Sequence, residues 1–458
     1  MTGVPHPVRT SSHRAMVVFT AAVAAYFVAV LHRTSLGVAG VEAIERFGLG
    51  ATALSMFSVV QLAVYAGMQL PAGRVLDRFG ARVVIGGGSA VMAAGQLLLA
   101  FADDVPLALA ARVLIGAGDA GIFISAVRLV AQWFPPMRAP LMVQVTGLIG
   151  QSGQLASAIP VAWLVHHHGW TSTFTVLAVV GAVAAVASFL GVREPDDDRS
   201  DAPRSDTSFL RAVRAAVEPP GTRLGWWSHF ATPFSANVVA LLWGVPFFVT
   251  AQGRSTAEAG ALLTVLTVTA MTTGPLVGRF TGRHPLRRTW AVLGSCGMTL
   301  VAWLVVLVPS TPRPMWQLVL FVVLVGMGGP VSLVGIDFAR TYSAPERLGT
   351  ASGFVNTGGF VSTIVGVLAV GVALQAVSPA GATTYSLDAY RWAFSVLLVP
   401  WLLGVWGVLR SRARTRAVMA DEGVVVPRLR DAVRRPHVPR RAHVPLRDRA
   451  RRGRARDR

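Results

Sequence analysis

Apolar and polar positions separate along this chain on the scale of whole helices. From about Ala15 to Arg412, windows of roughly 20 apolar residues rich in Val, Leu, Ala and Gly alternate with short gaps that collect the charges. Each window is long enough to cross a bilayer core of about 30 Å as a helix, whose backbone polar groups are satisfied internally. Twelve are predicted, at 15–41, 51–71, 82–101, 107–131, 141–166, 171–192, 226–250, 257–279, 289–309, 316–338, 348–377 and 389–411. One such window is also compatible with a buried helix of a soluble domain. Twelve at regular spacing describe an all-α, multi-pass membrane protein.

Composition agrees: 53% of residues are hydrophobic and 14% charged, against about 25% charged in a soluble domain. The first window is too long for a cleavable signal peptide and lacks a small-residue cleavage site. Arginine sets the orientation. Gaps after even-numbered windows carry Arg74, Arg78, Arg82, Arg138, Arg279, Arg283, Arg287, Arg288 and Arg347, whereas the opposite gaps show Asp103 and Asp104 with only Arg254 and Arg313 as clear basic residues. This bias predicts both termini in the cytoplasm and residence in the cell inner (plasma) membrane. The single cysteine, Cys296, excludes an intrachain disulfide.

The net charge of +20 is concentrated at the end of the chain, where Arg410 to Arg458 hold 17 arginines and 5 acidic residues. This segment is Pro-rich without apolar periodicity, so residues 413–458 are expected to be a disordered cytoplasmic tail drawn to anionic lipids. No aromatic residues interleave with the arginines, which argues against nucleic-acid binding.

The windows divide into two sets of six around the polar segment Arg193 to Arg223. The predicted domains are residues 1–192 and 226–412, two six-helix bundles, with residues 193–225 as a cytoplasmic linker. The halves echo one another. Gly73-Arg74-Val75-Leu76-Asp77-Arg78-Phe79-Gly80-Ala81-Arg82 follows window two and Gly278-Arg279-Phe280-Thr281-Gly282-Arg283 follows window eight; Trp133-Phe134-Pro135-Pro136-Met137-Arg138 and Tyr342-Ser343-Ala344-Pro345-Glu346-Arg347 correspond similarly. Such an internal repeat suits alternating access at a central cleft.

The run Gly67 to Arg82 resembles the loop 2–3 signature of the major facilitator superfamily, and the six-plus-six layout extends that resemblance over nearly the whole chain. The resemblance implies the major facilitator fold and a gate at Gly73, Asp77, Arg78, Gly80 and Arg82. Independently of it, Gly73 permits close helix contact and Asp77 can cap or pair at a helix end. The second copy has Gly282 where the acid would stand, so the clasp is expected to be one-sided.

Ionisable residues inside the windows are the functional candidates, because burying them unpaired is costly. They are His32 and Arg33 in window one, and Arg112 and Asp119 in window four. Arg112 and Asp119 are two turns apart, about 10 Å along one helical face. Interface anchoring, snorkelling or a structural ion pair are the plainer roles for these residues. Arg128 points away from Asp119 by helical phase and is read as structural or gate-related.

Tyr26-Phe27, His32-Arg33-Thr34-Ser35-Leu36 and Phe47-Gly48-Leu49 resemble the first helix of the anion:cation symporter family, and Arg112-Val113-Leu114-Ile115-Gly116-Ala117-Gly118-Asp119-Ala120 with Trp133-Phe134-Pro135 its fourth. The resemblance implies Arg33 as anchor for a substrate carboxylate, Asp119 as proton carrier and Arg112 as a residue that tunes or pairs with it. That family commonly has an acid immediately before the first-helix arginine. Here His32 stands there, a group that titrates near neutrality and is the rival proton site.

Further cleft candidates are Gln61, Gln151, Gln154, His229, Asn237, Trp243 and Asn356. Amides in membrane helices serve equally as interhelical contacts. The chain has no lysine and no phosphate-binding GxxxxGK[ST] run, which argues against ATP-driven transport. His166, His167 and His168 are consecutive, a poor spacing for a metal on a helix. No cofactor or metal is expected, nor enzymatic activity. The expected protein is a monomeric, proton-coupled importer of a small organic anion of the carboxylate or sugar-acid type. A proton-coupled exporter of amphipathic compounds and a non-transporting receptor or scaffold are the alternatives.

Overall fold

A computed structural model describes residues 12–47, 51–195, 208–379 and 385–424. Every regular element among the described residues is helical. The first half comprises α1 (Ser12–Val38), α2 (Gly40–Phe47), α3 (Ala51–Phe79), α4 (Ala81–Ala100), α5 (Val105–Asp119), α6 (Ile122–Trp133), α7 (Ala139–Ala156) and α8 (Ala162–Gly191). The second comprises α9 (Phe209–Val217), α10 (Pro220–Ala231), α11 (Phe234–Val238), α12 (Gly244–Pro246), α13 (Thr256–Arg283), α14 (Arg288–Leu307), α15 (Met315–Gly326), α16 (Gly328–Ser332), α17 (Val334–Tyr342), α18 (Leu348–Val377), α19 (Leu387–Ser395) and α20 (Leu398–Asp421).

Among the described residues, ten segments are long and apolar enough to cross a membrane by length and composition. The windows at 51–71 and 141–166 fall on α3 and on α7 with its continuation, helical segments outside those ten. Local chemistry sets the joints. Gly80, at φ 82°, turns α3 into α4, a backbone conformation that glycine adopts without steric cost. Asp104 accepts from the Leu107 amide to start α5, and Ser255 with Glu258 forms a capping box that starts α13. Gly169, at φ 76°, lies inside α8 where windows five and six meet.

Several spans are broken rather than continuous. The fifth passes through a π-helical turn at Ser157–Val161 containing Pro160, the seventh through turns at Val239–Trp243 and Phe247–Ala251, and the tenth is cut into α15, α16 and α17. Prolines and glycines interrupt the backbone ladder at such places. Irregular backbone is tolerated at membrane depth where it faces protein or a cavity.

Two boundaries differ from expectation. α10 begins at Pro220, inside the predicted linker, and α20 runs on to Asp421, so the first residues of the predicted disordered tail are helical. Arg, Ala and Met are good helix formers, and their run after Arg412 prolongs the helix. The remaining tail, 425–458, lies outside the described residues, as does the linker stretch 196–207.

The apolar cores follow the division into halves. One cluster, around Phe57, Trp170 and Phe174, is confined to the first half, and another, around Phe247, Phe321 and Phe394, to the second. A third joins the halves: Leu76, Val127 and Val130 share it with Ile336, Ala339, Ala351 and Val355. The two halves thus share a core toward the end that carries the turn between α3 and α4.

Candidate substrate site and gate

Where the joint core ends, a cavity of about 250 Å³ opens between the halves. Tyr26 and Arg33, two turns apart on α1, reach it together, with Tyr65 of α3 and Gln144 and Gln151 of α7 beside them. His229, Asn237, Ser332 and Asn356 line it from the second half. Most of these groups are polar but uncharged.

Arg33 carries the chemistry of the wall. Its Nε donates to Asp119 Oδ2 at 2.6 Å and its Nη2 to Oδ1 at 3.0 Å, and the guanidinium lies 4.7 Å from the Tyr65 ring centre. The paired donors match a carboxylate, and the aromatic face adds cation–π attraction. The Arg33 side chain is 25% exposed whereas Asp119 is fully buried, so the arginine, not the acid, is accessible from the cavity. Small residues place the acid: a methyl group at Gly118 would meet the Gly88 carbonyl at 2.5 Å, and one at Gly116 the Gln61 carbonyl at 2.6 Å. α5 therefore packs closely against α3 and α4, with Asp119 bonded to α1.

Several expected site residues lie elsewhere. Arg112 does not pair with Asp119. It is buried behind Arg33, with Nη2 donating to the Arg33 carbonyl at 3.2 Å; two turns along one helix share a face, yet their separation favours the neighbour on α1 for Asp119. His32 points away from the cavity, its ring packed near Gly181, because it follows Leu31 and precedes Arg33 at 100° steps around α1. Gln61 is buried against α5. Gln154 is exposed outside the cavity; its offset from Gln151 by three residues leaves a 60° difference in phase, enough to turn it off the wall. Trp243 donates to the Val367 carbonyl at 3.0 Å and packs near Gly371, away from the lining.

Tyr26, quoted in the sequence only as part of the first-helix motif, and Tyr65 and Gln144, not singled out there, also line the cavity. Tyr26 had a signal, its two-turn spacing from Arg33. Tyr65 and Gln144 depend on packing between distant helices. Beneath the cavity Asn356 Nδ2 donates to Gln69 Oε1 at 2.9 Å, and Gln144 Nε2 to the Pro330 carbonyl at 2.8 Å. Both bonds join the halves.

At the closed end Asp77 acts as a cap for a helix of the other half. Its Oδ1 accepts from the Gly349 amide at 2.7 Å, and Oδ2 from the Thr350 amide at 2.8 Å and hydroxyl at 2.6 Å. These amides open α18, where the helix dipole favours an anion. Arg128 donates to Asp77 Oδ1 at 3.0 Å, and its Nε lies 3.8 Å from Glu194, which accepts from the Ala81 amide. Gly73 allows the approach, because a methyl group there would lie 2.6 Å from the Gly349 carbonyl. Gly80 packs on Glu194, while Arg78 and Arg82 are exposed beside the turn. On the opposite side of this closure, Gly278 packs on Leu141 and Gly282 on the Met137 carbonyl. Glycines pack closely on both sides, and on the first a carboxylate cap is added.

Apolar helices long enough to cross a membrane, two halves that share a core, and a cavity between them are the features of a membrane transporter. The Major Facilitator Superfamily model matches residues 22–367 and also 225–446, and the chain belongs to that superfamily. The probable galactarate/D-glucarate transporter GudP of Escherichia coli is 23% identical over 376 residues, covering 74% of this chain and 82% of that one. The methylenomycin A resistance protein of Streptomyces coelicolor is 23% identical over 414 residues, covering 78% and 86% respectively. The solved proton:xylose symporter XylE superposes with a TM-score of 0.64 at 15% identity, over 88% of this chain and 96% of its own, a likeness of fold.

Proposed function

We propose that this protein imports a small organic acid together with protons. The observation that carries the proposal is the Arg33–Asp119 pair at the cavity wall, in which the accessible arginine presents carboxylate-matching geometry and its present partner is wholly buried. When a substrate carboxylate takes the guanidinium, Asp119 loses its counter-charge. An uncompensated buried carboxylate costs several kcal/mol, so Asp119 takes a proton, coupling one proton to one anion. With the turn between α3 and α4 cytoplasmic, as the arginine bias predicts, the Asp77 cap closes the inner side and the cavity serves the outward-facing half of the cycle.

The size of the cavity supports the substrate class. About 250 Å³ is below the roughly 300–1,000 Å³ of pockets for drug-sized ligands. The relative named for galactarate and D-glucarate points the same way. The likeness to a methylenomycin resistance protein favours a second reading, proton-coupled export.

Uptake of labelled carboxylates and sugar acids by membrane vesicles, with and without an inward proton gradient, distinguishes these readings. Gradient-stimulated uptake that is lost in Arg33→Ala, and reduced about 10- to 100-fold in affinity in Arg33→Lys, is the expected result. No acid uptake, together with proton-driven efflux of lipophilic compounds, would replace import by export.

A further inference from the structure

The second half carries another cavity, of about 280 Å³, which shares no lining residue with the one between the halves. It is a groove between α14 on one side and α19 with the start of α20 on the other, at the place where the last span breaks at Val396 and Leu397. Buried Phe234, Trp303, Phe394 and Leu397 make its floor, whereas Leu304, Val308, Trp392 and Leu398 at its rims are 42–70% exposed. On helices that cross a bilayer, exposed apolar rims open to lipid. We infer that this groove holds one acyl chain of a phospholipid whose phosphate is received by Arg391.

Length and polarity both point to that occupant. Along α14 the lining runs from Leu300 to Val308, about 12 Å at a rise of about 1.5 Å per residue. One leaflet of a hydrocarbon core of about 30 Å is about 15 Å deep, so the groove reaches from the headgroup level toward the middle of the bilayer. Most of its polar side chains turn to protein partners: Trp303 Nε1 donates to Ser235 Oγ at 3.1 Å, Trp401 Nε1 to the Cys296 carbonyl at 2.9 Å and Ser395 Oγ to the Trp392 carbonyl at 2.6 Å. Arg391 differs. Its Nε donates to the Leu307 carbonyl at 2.8 Å, Nη2 to the Val308 carbonyl at 2.9 Å and Nη1 to Asp388 Oδ1 at 2.7 Å. These bonds leave two of the five guanidinium hydrogens and hold the cation at the C-terminal end of α14, beside exposed Trp392, a residue type that marks the membrane interface. Asp388 draws on the same charge, but its carboxylate is 71% exposed. An exposed ion pair of this kind contributes little, so phosphate oxygens can join at the free donors. Because α14 starts beside Thr341, at the end that carries the Asp77 cap, the arginine bias places Arg391 in the outer leaflet.

The test is photolabelling of the purified full-length protein in proteoliposomes that contain a small fraction of phosphatidylglycerol with a diazirine in its acyl chain, followed by peptide mapping. Label is expected to concentrate on the peptides that carry Leu300–Leu307 and Ser395–Trp401, and to be competed by unlabelled phosphatidylglycerol. A diacylglycerol with the same diazirine chain lacks the phosphate and should label these peptides about tenfold less. Arg391→Gln should weaken phosphatidylglycerol labelling there by a similar factor, and Ser395→Trp, which fills the groove, should abolish it. Label spread evenly over the outward faces of all the helices overturns the inference, as does equal labelling by the diacylglycerol. Peptides that stay unlabelled while a second copy cross-links across them would assign the groove to a protein contact and overturn it too. Should either variant misfold, the comparison of the two lipids on the wild type still decides.

Discussion

Asp77 and Gly349, 272 residues apart in sequence, meet through a hydrogen bond of 2.7 Å that fastens the start of α18 to the end of α3. The carboxylate also holds Thr350 and is itself held by Arg128. Charge-assisted bonds of this kind contribute about 1.5–3 kcal/mol each. Asp77→Asn keeps the shape and removes the charge, so the closed end should open more often. A reporter Leu141→Cys in a Cys296→Ala background should then react at least about tenfold faster with a thiol reagent. Equal reaction rates in the Asp77 variant and its parent would show that the cap does not control this closure.

The Arg33–Asp119 pair yields a second expectation, for stability. Arg33→Ala strands the buried carboxylate, and breaking such a pair costs about 3–5 kcal/mol. Combining it with Asp119→Asn removes both charges, and the double variant should recover much of the loss. Thermal unfolding in detergent for the wild type, both single variants and the double variant measures the coupling. Additive losses would mean that the two side chains do not act as a pair.

Coupling can be tested separately from binding. Asp119→Asn imitates the protonated acid, so substrate binding and counterflow exchange should persist while accumulation driven by a pH gradient disappears. His32→Gln should leave that accumulation intact, because the His32 ring does not reach the cavity. The opposite pattern would transfer the proton site to His32, and undiminished accumulation in Asp119→Asn would return Asp119 to a structural role.

The membrane-spanning pattern was legible because bilayer thickness writes itself into the sequence as long apolar runs. The Asp77 contact between the halves was legible for a local reason: Gly73 and Asp77 lie one turn apart at the end of a single helix. Their partners, Gly349 and Thr350, are fixed only by how the halves meet. Within the cavity, helical phase brought Arg33 and Tyr26 to one face but suggested Arg112 as the neighbour of Asp119. The actual partner depends on the glycines that seat α5 against α3 and α4, a tertiary relationship that spacing along one helix does not contain. The same limit applies to Gln61 and Gln154, whose polarity signalled a partner without indicating on which side of the helix it stood.

The bond from Arg112 to the Arg33 carbonyl has a consequence for movement. It ties α1 to α5 at the level of Arg33, while the Arg33–Asp119 pair ties the same helices through their side chains. During rocking of one half against the other, an anion on Arg33 would travel as a passenger of the first half. The facing wall, with His229 and Asn237, would slide past it and act as the inspector, so the same cargo is presented to different neighbours on the two sides of the membrane.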